Sequence, residues 1–348
     1  MTDILKDFAD QSIGCTKLGS SFMGRLMALF AERLTPGTSV ADRILTWPGN
    51  TSAGGASVPL RIGGGLHALV LNKADADLKA VFPPHDATDD ALWAAVETAL
   101  TRHKAWFMAW LDHAPQTNEV RRSTALIPAF HMVARATGLP LALHELGTSG
   151  GLNLRADQFH LIAGNAHFGP ADSPIKLAPD WTGPAPSPAD LRITTRRGVD
   201  LNPLDPTNPD DQLRLRAYLW ADQLDRMERT EAAMQIAAAH PAHINRGDAI
   251  EWLANVLSRP QEGETRVIYH TIAWQYFPEA LQARGADLLA KAGERATSGQ
   301  PLAHISMEWD SGRGAALTAQ IWPGGGPCEL ARVDFHGRWL DWTGPTEL

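Results

Sequence analysis

Leu139-Pro140-Leu141-Ala142-Leu143-His144-Glu145-Leu146-Gly147-Thr148-Ser149-Gly150-Gly151-Leu152-Asn153-Leu154 reads as a short buried strand, a glycine-rich turn and the opening of a helix. α/β proteins use that order to hold a small ligand at the carboxyl end of a strand. Gly147, Gly150 and Gly151 let the backbone turn tightly and come close to a ligand, where a Cβ would clash. What the turn holds has to be read from the chain around it.

Immediately upstream, Glu119 to Thr137 reads as a helix with Asn118 as cap and Gly138 as stop; Pro128 should kink it or mark a first turn further along. A very short turn then leads into the Leu141 strand, so helix and strand should pack antiparallel. The helix is about 28 Å long at about 1.5 Å per residue, comparable with the strand plus its turn. Its start, with Glu119, Arg122 and Ser123, should therefore lie near the glycine turn.

Further upstream the chain is mainly helical. Phe22, Leu26, Leu29, Phe30 and Leu34 recur at helical spacing, and a second helix is expected from Asp89 to Leu111, its apolar stripe widened by Trp93, Trp106 and Trp110. Between them, Gly54-Gly55 and Gly63-Gly64-Gly65 read as turns.

Downstream, Leu152 to Gln158 should continue as helix, and Phe159 to Pro188 reads as an inserted hairpin and loop. Leu191 to Pro203 is a strand whose end carries Asp200, and Asp210 to Ala239 one long amphipathic helix. Gly247-Asp248-Ala249 precedes another helix, and Arg266 to Ile272 is an apolar run suited to a central parallel strand. Leu302 to Trp309, Ala315 to Trp322 and Glu329 to Trp342 read as successive strands, the last two joined at Pro323-Gly324-Gly325-Gly326-Pro327. Strand and helix alternate and then give way to antiparallel strands, which predicts a mixed sheet in an α/β sandwich.

Composition bounds the partners. With 348 residues, 44% of them hydrophobic, the chain can fill one large core or two ordinary ones. A net charge of −8 argues against a dedicated nucleic-acid or anionic-membrane binder. The two cysteines, Cys15 and Cys328, and the scattered histidines offer no zinc spacing, so no metal is expected. Without a signal-peptide pattern or a run of about 18 apolar residues, a cytoplasmic protein binding a small molecule is expected.

Glu145 with Gly147 after the first strand, Asp200 ending the next, Asp248 before a helix, and a terminal strand hairpin stand in that order. The order resembles the class I S-adenosylmethionine-dependent methyltransferases. The resemblance implies an α/β fold over 118–348, a Rossmann-like methyltransferase-type three-layer sandwich with a mostly parallel sheet ending in an antiparallel hairpin. A hairpin insertion at about 159–188 and a helical N-terminal domain over 1–117 complete it. It further implies that Glu145, Gly147, Ser149, Gly151 and Asn153 lie against the methionyl part of S-adenosylmethionine, with Glu119 and Arg122 at the pocket's edge. Asp200 would grip the ribose hydroxyls and Asp248 meet the adenine amino group. His270 and Tyr276, after the central strand, would serve as base and orienting hydroxyl. The combined run Asn118 to Ser123, Glu145 to Leu154 and Arg197 to Asp200 is also similar to an uncharacterised bacterial family, a domain of unknown function marked by E-[IL]-G-x-S-[AG]-G-L-N-L.

Three departures from the methyltransferase pattern stand out, and the third argues against amide substrates. Ser149 stands where methyltransferases place a glycine, about 55 residues separate Glu145 from Asp200, and Val267 to Phe277 lacks the Asn/Asp-Pro-Pro-Tyr/Phe stretch of enzymes acting on base or glutamine amides. Two other readings stand beside this one. A ligand-binding protein could keep the fold without the chemistry. Alternatively, Gly147-Thr148-Ser149-Gly150-Gly151 satisfies G-x-S-x-G, with Ser149 as nucleophile, Asp310 and His336 completing a triad, and Gly63-Gly64-Gly65 as an oxyanion loop.

Overall fold

In the computed structural model, which describes residues 3–348, the chain forms two compact units: residues 3–117 with 208–228, and 118–207 with 229–348. The first is helical. It contains α1 (Asp3–Lys17), α2 (Ser21–Arg33), α3 (Ser39–Leu45), α4 (Val58–Leu71), α5 (Ala76–Val81), α6 (Asp89–Arg102) and α7 (Lys104–Trp110). After α8 (Ser123–Thr137) in the second unit, the chain returns to the first with α9 (Pro209–Ala217) and then enters α10 (Leu224–Ala239). Ser20, Thr38, Asp75 and Thr88 each cap the helix that follows, accepting a backbone N–H from its first turn.

Three expectations fail in this unit. Gly63, Gly64 and Gly65 are not a turn: they lie buried inside α4. A Cβ would come within 2.5 Å of the Tyr218 ring at Gly64 and 2.9 Å of the Phe107 ring at Gly65, so the glycines admit aromatic rings against the helix backbone. Asp89 to Leu111 is two helices, broken at His103, whose Nε2 meets the buried Asp75 carboxylate at 2.9 Å. Asp210 to Ala239 also breaks, because the intervening Tyr218, Leu219, Trp220 and Ala221 are buried and Asp222 accepts from Ser20 Oγ (2.5 Å) and Phe22 N (2.9 Å).

The second unit is built on β1 (Leu141–Leu146), buried at every position. Three short strands, β2 (His160–Ala163), β3 (Ala166–Phe168) and β4 (Lys176–Leu177), make a small separate sheet from the inserted segment. The remaining strands are β5 (Asp180–Thr182), β6 (Ile193–Asp200), β7 (His243–Arg246), β8 (Thr265–Thr271), β9 (Leu302–Trp309), β10 (Ala315–Trp322), β11 (Cys328–Val333) and β12 (Trp339–Trp342). With β1 they form one sheet in the order β5-β12-β11-β10-β9-β8-β1-β6-β7. From β7 to β9 every pairing is parallel; β9 to β12 form an antiparallel meander, and β5 joins its edge parallel to β12.

The segment Phe159 to Pro188, expected as an inserted hairpin and loop, thus also supplies β5 to the main sheet. Glu329 to Trp342 is likewise two strands, because Asp334 accepts from His336 N and Arg338 N and closes a turn with Gly337 at φ 68°.

α8 covers one face, with Phe130 edge-on to Tyr269 at 5.3 Å, and its helix runs through Pro128. The opposite face carries α11 (Ala249–Leu257) and α12 (Glu279–Glu294), whose Ile250, Leu253 and Leu289 share a core with Leu146, Val199 and Ile268. Alternation along β1 thus sends Glu145 toward the α8 side and His144, which meets Trp252, toward α11. Among the described residues no helix is long and apolar enough to cross a membrane.

Candidate functional site

Numbered along the chain, the five parallel strands run 3-2-1-4-5 across the sheet, and their order reverses between β1 and β8. In open α/β sheets the crevice beyond the carboxyl ends at such a reversal is where ligands bind. The two turns flanking it touch: a Cβ on Gly147 (φ 69°) would lie 2.6 Å from that of Ala273. Each also holds a non-glycine residue in the left-handed region, Ser149 at φ 51° and Ile272 at φ 50°. For a β-branched residue such as Ile272 that conformation is costly, of order 1–3 kcal/mol, and such strain gathers at functional sites.

The turn after β1 is held from several sides. Gly147 N and Thr148 N donate to Val199 O at 2.9 and 3.1 Å, and Ser149 N donates to Asp200 Oδ2 at 2.9 Å. Asp200 Oδ1 also accepts Asn202 N at 2.8 Å, so this carboxylate fastens the β6 end to the glycine turn. Ser149 is 6% exposed, and its Oγ finds no hydrogen-bond partner. Asn118 Oδ1 accepts Leu152 N (2.7 Å), while Asn153 accepts from Ser123 Oγ (2.8 Å) and donates to Glu119 O (3.2 Å). The start of α8 thus lies against the turn. There, the Glu119 carboxylate accepts Arg121 N at 3.1 Å. Arg122 reaches the end of β8, donating to Thr271 O (3.0 Å) and Phe335 O (3.1 Å).

Glu145 is 2% exposed, and burial pushes its carboxyl up to about 8 despite the Thr148 hydroxyl, which donates to it at 2.6 Å, and the neighbouring Tyr269, Arg155 and Arg122. Near neutral pH it is largely an uncharged acid. Tyr269 lies opposite it on β8; burial and then the Glu145 charge raise its phenol well above the ordinary value, and its hydroxyl makes no well-aligned hydrogen bond. Arg155 is buried beneath the turn, donating to Gly151 O (2.6 Å), His240 O (2.8 Å) and Ala237 O (3.4 Å). Burial lowers its pKa to about 10, which leaves it a cation placed on the carboxyl end of α10. The segment after the turn, Leu152–Gln158, is a 3-10 helix kinked at Arg155 rather than the opening of an α-helix.

The other sequence candidates fall into different surroundings. Asp248 caps α11, Oδ1 accepting Ile250 N and Glu251 N at 2.9 Å each. His270 and Tyr276 differ in their surroundings: His270 is buried and Tyr276 is 62% exposed. Both ring nitrogens of His270 are engaged, Nδ1 with Glu308 Oε1 at 2.8 Å and Nε2 with His304 Nε2 at 3.1 Å. Burial and the His270 charge hold His304 down at about 3. Burial pushes Glu308 up, but the His270 contact and the N–H groups of Ala273 (2.9 Å) and Trp274 (3.0 Å) outweigh it and lower its pKa. Glu308 thereby anchors the turn after β8, an arrangement that composition and spacing did not signal.

The triad order is not assembled. Arg332 holds both oxygens of Asp310 at 2.6 and 2.7 Å and keeps that acid well below its ordinary range, while no base touches Ser149 Oγ. Gly63 to Gly65, helical and in the other unit, form no oxyanion loop. Among the described residues no three His, Cys, Asp or Glu side chains group as metal ligands.

A family model described as an uncharacterized protein conserved in bacteria, DUF2332, matches residues 5–342. The chain belongs to that family. Comparison of this DUF2332 protein with curated proteins and with solved structures gave no match.

Proposed function

We propose that this DUF2332 protein binds S-adenosylmethionine at the reversal of strand order and uses it to methylate a small molecule or a protein. The observation that carries the reading is the pair of left-handed residues, Ser149 and Ile272, flanking that crevice, with the buried Ser149 hydroxyl left unpartnered beside the Asp200 carboxylate. Acids at the ends of β1 and β6 and just after β7 suit such a ligand, since a ribose diol offers two donors to one carboxylate and the methionyl ammonium is cationic. Gly147 and Gly151 suit a backbone that must come close to it.

When bound, that cofactor supplies an activated methyl group. The chain's own share is then to hold donor and acceptor in line and to exclude water. Asp200 steadies the glycine turn, Arg122 steadies the β8 end, and Glu308 steadies the turn that follows. His270, committed to Glu308 and His304, has no nitrogen to spare for abstracting a proton, so the acceptor should be one that needs little help, or one deprotonated by another group. The same fact favours a second reading, in which the protein binds the ligand without transferring the methyl group.

Titration calorimetry with S-adenosylmethionine and with its demethylated product tests the proposal. We expect saturable binding, weakened at least about tenfold by Asp200→Ala and retained by Ser149→Ala. Asp248→Asn keeps the cap and hence the fold, so any loss of affinity in it reports on ligand contact. A cation near Glu145 would lower its pKa and release a proton, making the binding heat at pH 7 depend on the buffer. Absence of binding at millimolar ligand would overturn the reading; binding without methyl transfer to any acceptor would favour the second one.

A further inference from the structure

At the opposite edge of the sheet from the glycine turn, the amino ends of β8 and β9 and the last turns of α11 and α12 border an open cleft of about 280 Å³. Arg259, Arg266 and Arg295 all line it, together with Ser258, Gln261 and Gln300. Three arginines lining one small cleft stand out in a chain of net charge −8.

Arg266 is the informative one. It is half-buried, and burial lowers its pKa. A cation taken out of water is ordinarily paired with a carboxylate. Arg266 instead meets only uncharged oxygens, Nε donating to Gln261 Oε1 at 2.8 Å and one terminal nitrogen to Arg259 O at 2.7 Å. The nearest acids on the same loops are turned to the glutamines: Glu264 accepts from Gln261 Nε2 at 2.9 Å and Glu262 from Gln300 Nε2 at 3.1 Å.

Helix carboxyl ends attract cations, and α11 and α12 both end here, yet each end supplies only about half a negative charge. Two such ends amount to about one charge against three arginines, and no carboxylate is among the residues that line the cleft, Glu262 and Glu264 lying behind its glutamines. Leu257, Pro260, Ala292, Ala296, Pro301 and Leu302 complete the lining, which is thus half polar, whereas an apolar ligand favours a largely hydrophobic enclosure. Guanidinium forks match the oxygens of a phosphate group, while Ser258 Oγ is spent on Asn255 O (2.8 Å) and the Gln261 and Gln300 amides on the two glutamates.

We propose that this cleft is a binding site for a small phosphate-bearing anion, with Arg266 as the half-buried anchor and Arg259 and Arg295 beside it at the two helix ends. It lies on the other edge of the sheet from the S-adenosylmethionine reading and does not depend on it.

Calorimetry on the whole chain tests this, using inorganic phosphate in one arm and glycerol phosphate in another, against sodium chloride of matched ionic strength. The expected result is saturable binding at one site per chain below about 10 mM, absent with chloride, and the stronger arm tells free phosphate from an ester. Arg259→Gln and Arg295→Gln, at the helix ends, should each weaken it at least about tenfold. Arg266→Gln should abolish it, with its thermal unfolding recorded alongside because Arg266 also holds Gln261. Heats that do not saturate by about 10 mM, or an affinity unchanged in both Arg259→Gln and Arg295→Gln, would overturn the proposal.

Discussion

Gly138 and Gly147 share a left-handed backbone, φ 68° and 69°, but not a neighbourhood. A Cβ on Gly138 would meet nothing within 4 Å, whereas one on Gly147 would lie 2.6 Å from Ala273 Cβ at the strand-order reversal. Gly138→Ala should therefore cost about 1 kcal/mol, the backbone penalty alone. Gly147→Ala should cost roughly 1–3 kcal/mol more, because the two turns must be pushed apart. Denaturant unfolding of both variants measures the difference, and equal costs would mean that the turns are not packed as described. At this scale the sequence was legible where chemistry and position coincide: Glu145 and Asp200 are acids at strand ends, and they lie beside one glycine turn. It was silent on Tyr269 and Glu308. Their partners, Glu145 and His270, are distant in the chain and become neighbours only because β8 lies between β1 and β9.

Elements show the same limit from the other side. The Leu141 strand, the Arg266 run and the terminal strands were readable because a strand buried on both faces is largely apolar and an antiparallel strand is bounded by turn residues. Gly63-Gly64-Gly65 misled because local propensity favours a turn, while the packing of Met23, Tyr218, Phe107 and Trp110 requires a helix with no side chain there. This has a consequence of reversed sign. In an exposed helix Gly→Ala gains about 1 kcal/mol, but Gly64→Ala should destabilise by roughly 1–3 kcal/mol, since Tyr218 Cε1 lies 2.5 Å from the new methyl. Adding Tyr218→Leu should recover part of that loss, giving a coupling of about 1 kcal/mol or more in a double-mutant cycle. Strict additivity would show that α4 and the Tyr218 segment do not meet.

Over the whole molecule, the family match reaches from residue 5 to 342, so both units belong to what the family shares. The second unit carries an unusual balance of buried titratable groups, and its pH dependence follows from their directions. Burial lowers His144 to about 4 and, with the His270 charge, His304 to about 3, and it lowers His131 as well. Burial raises Glu145 to about 8. Between pH 4.5 and 6.5 the unfolded chain protonates His144 and His304 while the folded one does not, and only the folded chain keeps the Glu145 proton. The unfolded state then holds two protons more and one fewer, a net of one more, with His131 adding to it. Stability rises with pH across that window, by roughly 1.4 kcal/mol per pH unit for each net proton. Between pH 6.5 and 8 the histidines are neutral in both states and Glu145 alone differs, so the sign reverses and stability falls until Glu145 ionises in the folded protein. The second unit should be most stable near pH 6.5, as read by denaturant unfolding from pH 5 to 8. Glu145→Gln should remove the alkaline slope and steepen the acid one, whose net then rises from one proton to two. An alkaline slope that survives in this variant would mean that another group, and not Glu145, carries the proton at the end of β1.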